Sequence, residues 1–327
     1  MRRQSTMATM AAASVLAATV TLAGCGAPGL PGAPSLLDSP GAAVTQDQSS
    51  RIMERVMAAD TDVREGKPEA ISHLNAIYAG EGARAVKANQ TLTASKAKSL
   101  PKGAPSDVKV LATSRGTDYP RYLLGASLPP GNKQPLLHMI VGTDVRTPYR
   151  IAMSAQMLPT AHINAFYAAN EGSPVVTDGS DMNVKPVDLL KAYADGLSDK
   201  APENPPYDPD TFSEQIHKKA KEFDQDYEAI TTVARSNQVM ADPMVAMRQL
   251  NGDTMVMGAI ERTEIYTIKP GKQMKTPGLV APFLPGRAIL VQKAQVQVMQ
   301  FLVFILPKDG KAKLVAATEQ VVGASGF

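Results

Sequence analysis

The spacing of apolar positions changes from three-to-four to two as the chain runs from residue 51 to 157. Ile52, Val56, Ala59 and Val63 recur at helical spacing among Arg51, Glu54 and Arg55, which predicts an amphipathic helix. Pro68 and Glu69 suit the first turn of a second helix carrying Ile71, Leu74, Ile77 and Tyr78, with Gly80 as its stop. A further helical piece covers 83–91. Val108, Val110 and Ala112 then alternate with polar neighbours. Residues 121–128 and 136–145 read as extended, and Ile151, Met153, Ala155 and Met157 alternate with Arg150, Ala152, Ser154 and Gln156. Helices followed by about four strands are therefore expected in 51–165.

Residues 171–183 are mostly Gly, Ser, Asp, Asn and Thr, and 166–185 is expected to be a linker. The order then repeats in 186–327. A short helix is predicted at 187–197. A longer one carries Phe212, Ile216, Ala220, Phe223, Tyr227 and Ile230 at steps of three and four, with Asp210 or Thr211 as cap and Glu214 reaching back. Strands are expected at 255–260, 264–268, 288–304 with a break near Lys293, and 313–322. Asn251-Gly252 and Lys308-Asp309-Gly310 mark turns. Two blocks of helices then antiparallel strands predict an α+β fold of two tandem domains, each with helices packed on a curved antiparallel sheet.

The first fifty residues have a different character. Met1-Arg2-Arg3 precedes an apolar and small-residue run, Met7 to Ala23, and then Leu22-Ala23-Gly24-Cys25. A basic start, an apolar middle and small residues before a cut site describe a secretory leader over 1–24. Leu22, Ala23, Gly24 and Cys25 resemble the lipobox of bacterial lipoproteins. That resemblance implies acylation of the Cys25 thiol and cleavage before it. Residues 26–50, rich in Gly, Pro, Ala and Ser, read as a flexible tether that spans ~27 Å on average. The expected location is the extracytoplasmic face of the cell membrane, held by covalent lipid. Cys25 is the only cysteine, so no disulfide forms within the mature chain.

Composition narrows the function classes. The chain has 34 Lys and Arg against 31 Asp and Glu. Removing Arg2 and Arg3 with the leader leaves it nearly neutral, which favours neither nucleic acid nor an electrostatic hold on anionic lipid. Trp is absent, which counts against a glycan platform, and the 16 methionines read as core filler. His73, His138, His162 and His217 have no metal-ligand spacing, and no nucleophile elbow or phosphate loop is present. No catalytic residue, metal or cofactor is therefore expected. Asp178 to Asn183 reads as a solvated loop, and Asp224, Asp226 and Glu228 as a solvated helix face.

The Asp118-Tyr119-Pro120-Arg121-Tyr122 segment ahead of the strands, and Phe301 to Pro307 closed by Lys308-Asp309-Gly310, resemble the layout of a group of uncharacterised actinobacterial lipoproteins. The resemblance implies two units like the cone-shaped, nuclear-transport-factor-like domains, in which helices cover a curved sheet around a cavity. Tyr119, Arg121 and Tyr122 are the candidate pocket residues, for an anionic or amphipathic ligand. The expected role is binding a small apolar ligand or an envelope partner. The alternatives are a small-pocket hydrolase or isomerase, and an envelope scaffold without a ligand.

Overall fold

Thr45 opens the fold. Its side chain accepts from the Gln48 backbone while the Gln48 side chain accepts from its own N–H, a reciprocal cap that starts α1, Gln46–Arg64. This helix begins inside the stretch expected to be tether, because a cap of Thr and Gln carries no apolar signal. A computed structural model describes residues 41–326 except 178, 199 and 201. The leader, Cys25 and the lipobox residues Leu22, Ala23 and Gly24 lie outside the described residues.

After α1 come α2 (Pro68–Ser72), α3 (Leu74–Ile77) and α4 (Gly80–Ala94). Gly80 does not stop a helix; it starts α4 at φ +49°. The strands β1 (Ser106–Thr113), β2 (Arg121–Leu128), β3 (Leu136–Gly142) and β4 (Arg150–Gln156) form an antiparallel meander in the order β1-β2-β3-β4. The second half brings α5 (Pro186–Gly196) and α6 (Thr211–Tyr227), then β5 (Thr231–Arg248) and β6 (Thr254–Ile268). A short ribbon of β7 (Met274–Lys275) and β8 (Ile289–Leu290) precedes β9 (Lys293–Leu306) and β10 (Lys313–Gly326). The second large sheet has the antiparallel order β10-β9-β6-β5. The fold is α+β, with helices packed on two four-stranded antiparallel sheets.

Strand β5 has no counterpart in the apolar pattern. Thr232, Ala234, Ser236 and Gln238 are exposed along this sheet edge, and Asp242-Pro243 interrupts its pairing between Val239 and Met244. Apart from Thr231 at its start, its buried residues are Pro243 and Val245 to Met247 in the last third. Asp210 caps α6 as expected, but through the Ser213 backbone N–H and hydroxyl rather than through Glu214.

Each sheet is buried on both faces. Met53, Val56 and Met57 of α1 pack on Leu123, Ile140 and Ile151 of the first sheet. Leu189, Leu190 and Tyr193 of α5 pack on Val256, Leu302 and Phe304 of the second. The inner faces meet in one shared core that contains six methionines: Met139, Met153, Met247, Met255, Met257 and Met299. Unbranched, soft side chains suit the irregular space between two twisted sheets. The expectation of core filler holds at these positions.

The two sheets also meet at their edges. The Leu158 N–H donates to the Val315 carbonyl at 2.9 Å, and Met157 bridges to Ala316, joining β4 to β10. On the other side the 173–176 segment lies between β1 and β5. The Ser173 N–H donates to the Thr113 carbonyl at 2.8 Å, and the Val176 N–H to the Ala246 carbonyl at 2.8 Å. The stretch expected to be a linker thus supplies a strap that closes a flattened ring of strands. Residues 41–326 form one compact unit. All four cores are built within it, so the chain from α1 onward folds on its own core.

Gly172 permits the strap. Its φ is +69°, and a Cβ there would stand 2.8 Å from the Ala42 Cα and 2.9 Å from the Ser114 carbonyl oxygen. Gly172→Ala is expected to lower the unfolding free energy by about 2 kcal/mol or more, from left-handed strain plus a backbone clash. Urea denaturation reads this directly. An unchanged midpoint would mean that the strap moves aside freely.

Candidate functional site

Four concave regions differ in what their polar groups already hold. The largest, about 1270 Å³, lies between α6 and the distal half of the second sheet. Although α6 carries a continuous apolar stripe, only Ile216 on it is fully buried. Phe223 stacks on Tyr227 at 4.5 Å and meets Tyr266 edge-on at 5.4 Å. The floor is a chain of ion pairs. Arg262, 7% exposed, donates to Glu264 at 2.9 Å and to Glu319 at 2.7 Å. Arg235 grips both oxygens of Asp224 at 2.7 and 2.8 Å. Asp224 is therefore a partner in this network and not merely part of a solvated face. The charges of this floor already satisfy one another, while Lys219 and Lys221 stand on the cleft's helical side.

Two of the three candidate pocket residues at 119–122 line a second depression. Tyr119 and Tyr122 line a depression of about 430 Å³ beside Val175, Lys185 and Met244. Arg121 does not line it. Its guanidinium stacks 4.4 Å from the centre of the Tyr119 ring and donates to the carbonyls of Thr117 and Ala43. The three residues are neighbours, but the structure spends Arg121 on tying down the β1–β2 loop and the entry to α1.

The most enclosed of the four, about 330 Å³, sits under α4 where the first sheet meets β10. Its walls are chiefly apolar and include Val63, Val86, Leu100, Ile151 and Phe301. The segment 98–105 forms one side. Arg64 holds that segment by donating to the Pro101 carbonyl at 2.8 Å, and the Gly103 N–H donates to Glu65 at 3.2 Å. Helix α4 approaches closely because residue 82 is glycine; a Cβ there would lie 2.6 Å from the Ala152 carbonyl oxygen.

Three sets of polar groups face this cavity. The first is His138 on β3, 2% exposed. Its Nε2 lies 2.8 Å from the Ser127 hydroxyl and its Nδ1 2.8 Å from the Ser154 hydroxyl. Burial pushes the imidazole down to about 4, so it is neutral at pH 7. A neutral ring donates from one nitrogen and accepts at the other, so one serine accepts from it and the other donates. The second set is Tyr78, whose hydroxyl donates to Asp60, itself paired with Arg64 at 2.8 Å. Burial, and then Asp60, raise the phenol well above its ordinary value.

Lys98 is the third. Its ammonium donates to the amide oxygens of Asn89 at 2.9 Å and Gln320 at 3.3 Å. Among the described residues no carboxylate pairs with it, and burial lowers its pKa. Gln320 is itself fixed by donating to the Ala85 carbonyl. A half-buried cation held only by neutral dipoles retains an uncompensated charge. No family model, characterised protein or solved structure matches this chain.

The remaining expected residues fall outside the cavity. His73 bonds Ser72 at the surface, His162 lines a separate depression on the first sheet, and His217 lies at the α6 cleft. Asp181 pairs with Arg248, and Asn183 donates to the Gly310 carbonyl at 2.8 Å, so part of the 178–183 loop ties down strand ends. Among the described residues no group of three or more His, Cys, Asp or Glu is placed to hold a metal ion, and no helix is long and apolar enough to cross a membrane. Lys98 and the Ser127–His138–Ser154 line were not singled out in the sequence. Hairpin register was the available signal. Gly125 faces His138 across the β2–β3 pair, and Ser154 faces it across β3–β4. That places Ser154 opposite the histidine and Ser127 on its diagonal.

Proposed function

We propose that this protein is a lipid-anchored extracytoplasmic binding protein, without a catalytic role, that holds a small amphipathic anion in the cavity beneath α4. The observation that carries the reading is Lys98, an ammonium with no carboxylate partner among the described residues, at a mostly apolar pocket. An acid group on the ligand supplies the missing charge, and its apolar body packs against residues such as Leu100, Ile151 and Phe301. The lipobox ending in Cys25 supports the anchored location.

The test uses chain beginning at Gly26 and decanoate as a probe. Titration by calorimetry is expected to show saturable binding, weakened about 10- to 100-fold in Lys98→Met, the range of one charge-assisted hydrogen bond of ~1.5–3 kcal/mol. Equal affinity of both proteins, or no binding to either, sinks the proposal.

One observation favours a second reading. The Ser154 hydroxyl lies on the cavity wall against a neutral imidazole, which is the pairing that activates a serine for acyl transfer. Labelling of Ser154 by a fluorophosphonate, abolished in His138→Asn, would replace the binding reading with a hydrolase.

A further inference from the structure

The excursion between β6 and β9 carries a charge segregation that the near-neutral total conceals. From residue 265 to 307 the chain has no Asp or Glu, while Lys269, Lys272, Lys275, Arg287 and Lys293 fall within it. Lys269 is already engaged, donating to the Glu228 carbonyl at 2.6 Å beside the acidic end of α6. The other four are exposed. The same excursion exposes Leu279 (50%), Ile289 (51%) and Val291 (51%), three of the seven large apolar side chains that stand out of the described surface.

The ribbon sorts its residues cleanly. Met274 and Leu290 face each other and are buried with Val280 and Leu284 in the distal core. Lys275 and Ile289 face each other on the outside. Val291 follows Ile289 by two residues and is exposed as well. The inner side holds the tip rigidly to the sheet, and the outer side presents apolar bodies among cations.

We propose that this tip docks on an anionic lipid surface, with Leu279, Ile289 and Val291 entering the headgroup boundary and Lys272, Lys275, Arg287 and Lys293 meeting lipid phosphates. Charge complementarity selects this occupant: exposed cations along a stretch of chain that holds no acid fit a diffuse sheet of negative charge. Short apolar side chains seat in a fluid boundary without needing shaped pockets. The inference is independent of the cavity and of Cys25.

Co-sedimentation tests it with chain beginning at Gly26, which lacks the leader and the lipidated cysteine. Vesicles of phosphatidylcholine alone are compared with vesicles containing one quarter phosphatidylglycerol. Binding is expected only to the anionic vesicles, falling steeply with salt. Each basic side chain near the surface is worth about 5-fold in partitioning, so Lys275→Glu with Arg287→Glu is expected to weaken binding at least ~25-fold. Ile289→Ser with Val291→Ser is expected to weaken it about 10-fold or more without a change in melting temperature, while Val145→Ser, at an exposed apolar residue elsewhere (81%), leaves it unchanged. Equal binding to both vesicle types, no binding, or variants that bind like the parent would overturn the proposal.

Discussion

Cys25→Ala is expected to move the protein from the detergent phase to the aqueous phase on temperature-induced phase separation. Native material is expected to carry acyl chains on the Cys25 sulfur as the first residue of the mature chain. The size of the effect follows from chain length. Each buried methylene contributes about 0.8 kcal/mol, so one acyl chain binds marginally and two bind stably. The electrostatic contribution of the ribbon tip is too small to mask this in a salt wash, because surface attraction is screened within about 10 Å at 0.1 M salt. Intact-mass analysis is the sharper readout. A bare thiol at Cys25, or a retained leader in the native protein, removes the anchor from the proposed function and leaves the cavity argument standing.

Acid is expected to destabilise the fold through His138. In the unfolded chain its imidazole titrates near 6.5; in the folded chain burial holds it at about 4. Asp60 opposes that fall and Arg64 adds to it, both more weakly than burial. Between these values the unfolded state binds the proton and the folded state does not, so stability falls as pH falls. The contribution is fully present above pH 6.5 and lost progressively down to pH 4. The gap corresponds to about 3 kcal/mol. Urea midpoints across this window are expected to drop more steeply for the parent than for His138→Asn, which keeps a polar side chain between Ser127 and Ser154. Parallel curves would show that the histidine takes up its proton without opening the strand layer.

Periodicity was the readable part of this sequence. Helix α6 is legible because Phe212, Ile216, Ala220, Phe223 and Tyr227 recur on one face, although the same spacing also takes in Ile230 beyond its end, and β4 because Ile151, Met153 and Ala155 recur at every second position. Strand β5 was hidden by its place at a sheet edge, where one side of its first half faces solvent and shows no apolar preference. The strap at 173–176 was hidden for another reason. It joins the sheets through backbone groups, and those carry no residue signature. Lys98 sits in a run with Lys96 and Lys102 that reads as a solvated basic stretch. Only the fold of α4 against β10 brings Asn89 and Gln320 to it and encloses it. The candidate residues at 119–122 drew attention as an aromatic and basic cluster, yet the stacking that makes such a cluster conspicuous also occupies its cation.

Closure of the strand ring joins residues far apart along the chain: the Gln156 N–H donates to the Thr318 hydroxyl across 162 positions. Without β10 in place the first half has no partner to complete its border, and its methionine-lined interior stays wet. Such a polypeptide matures slowly and all at once, because its two sheets close only through contacts far apart along the chain.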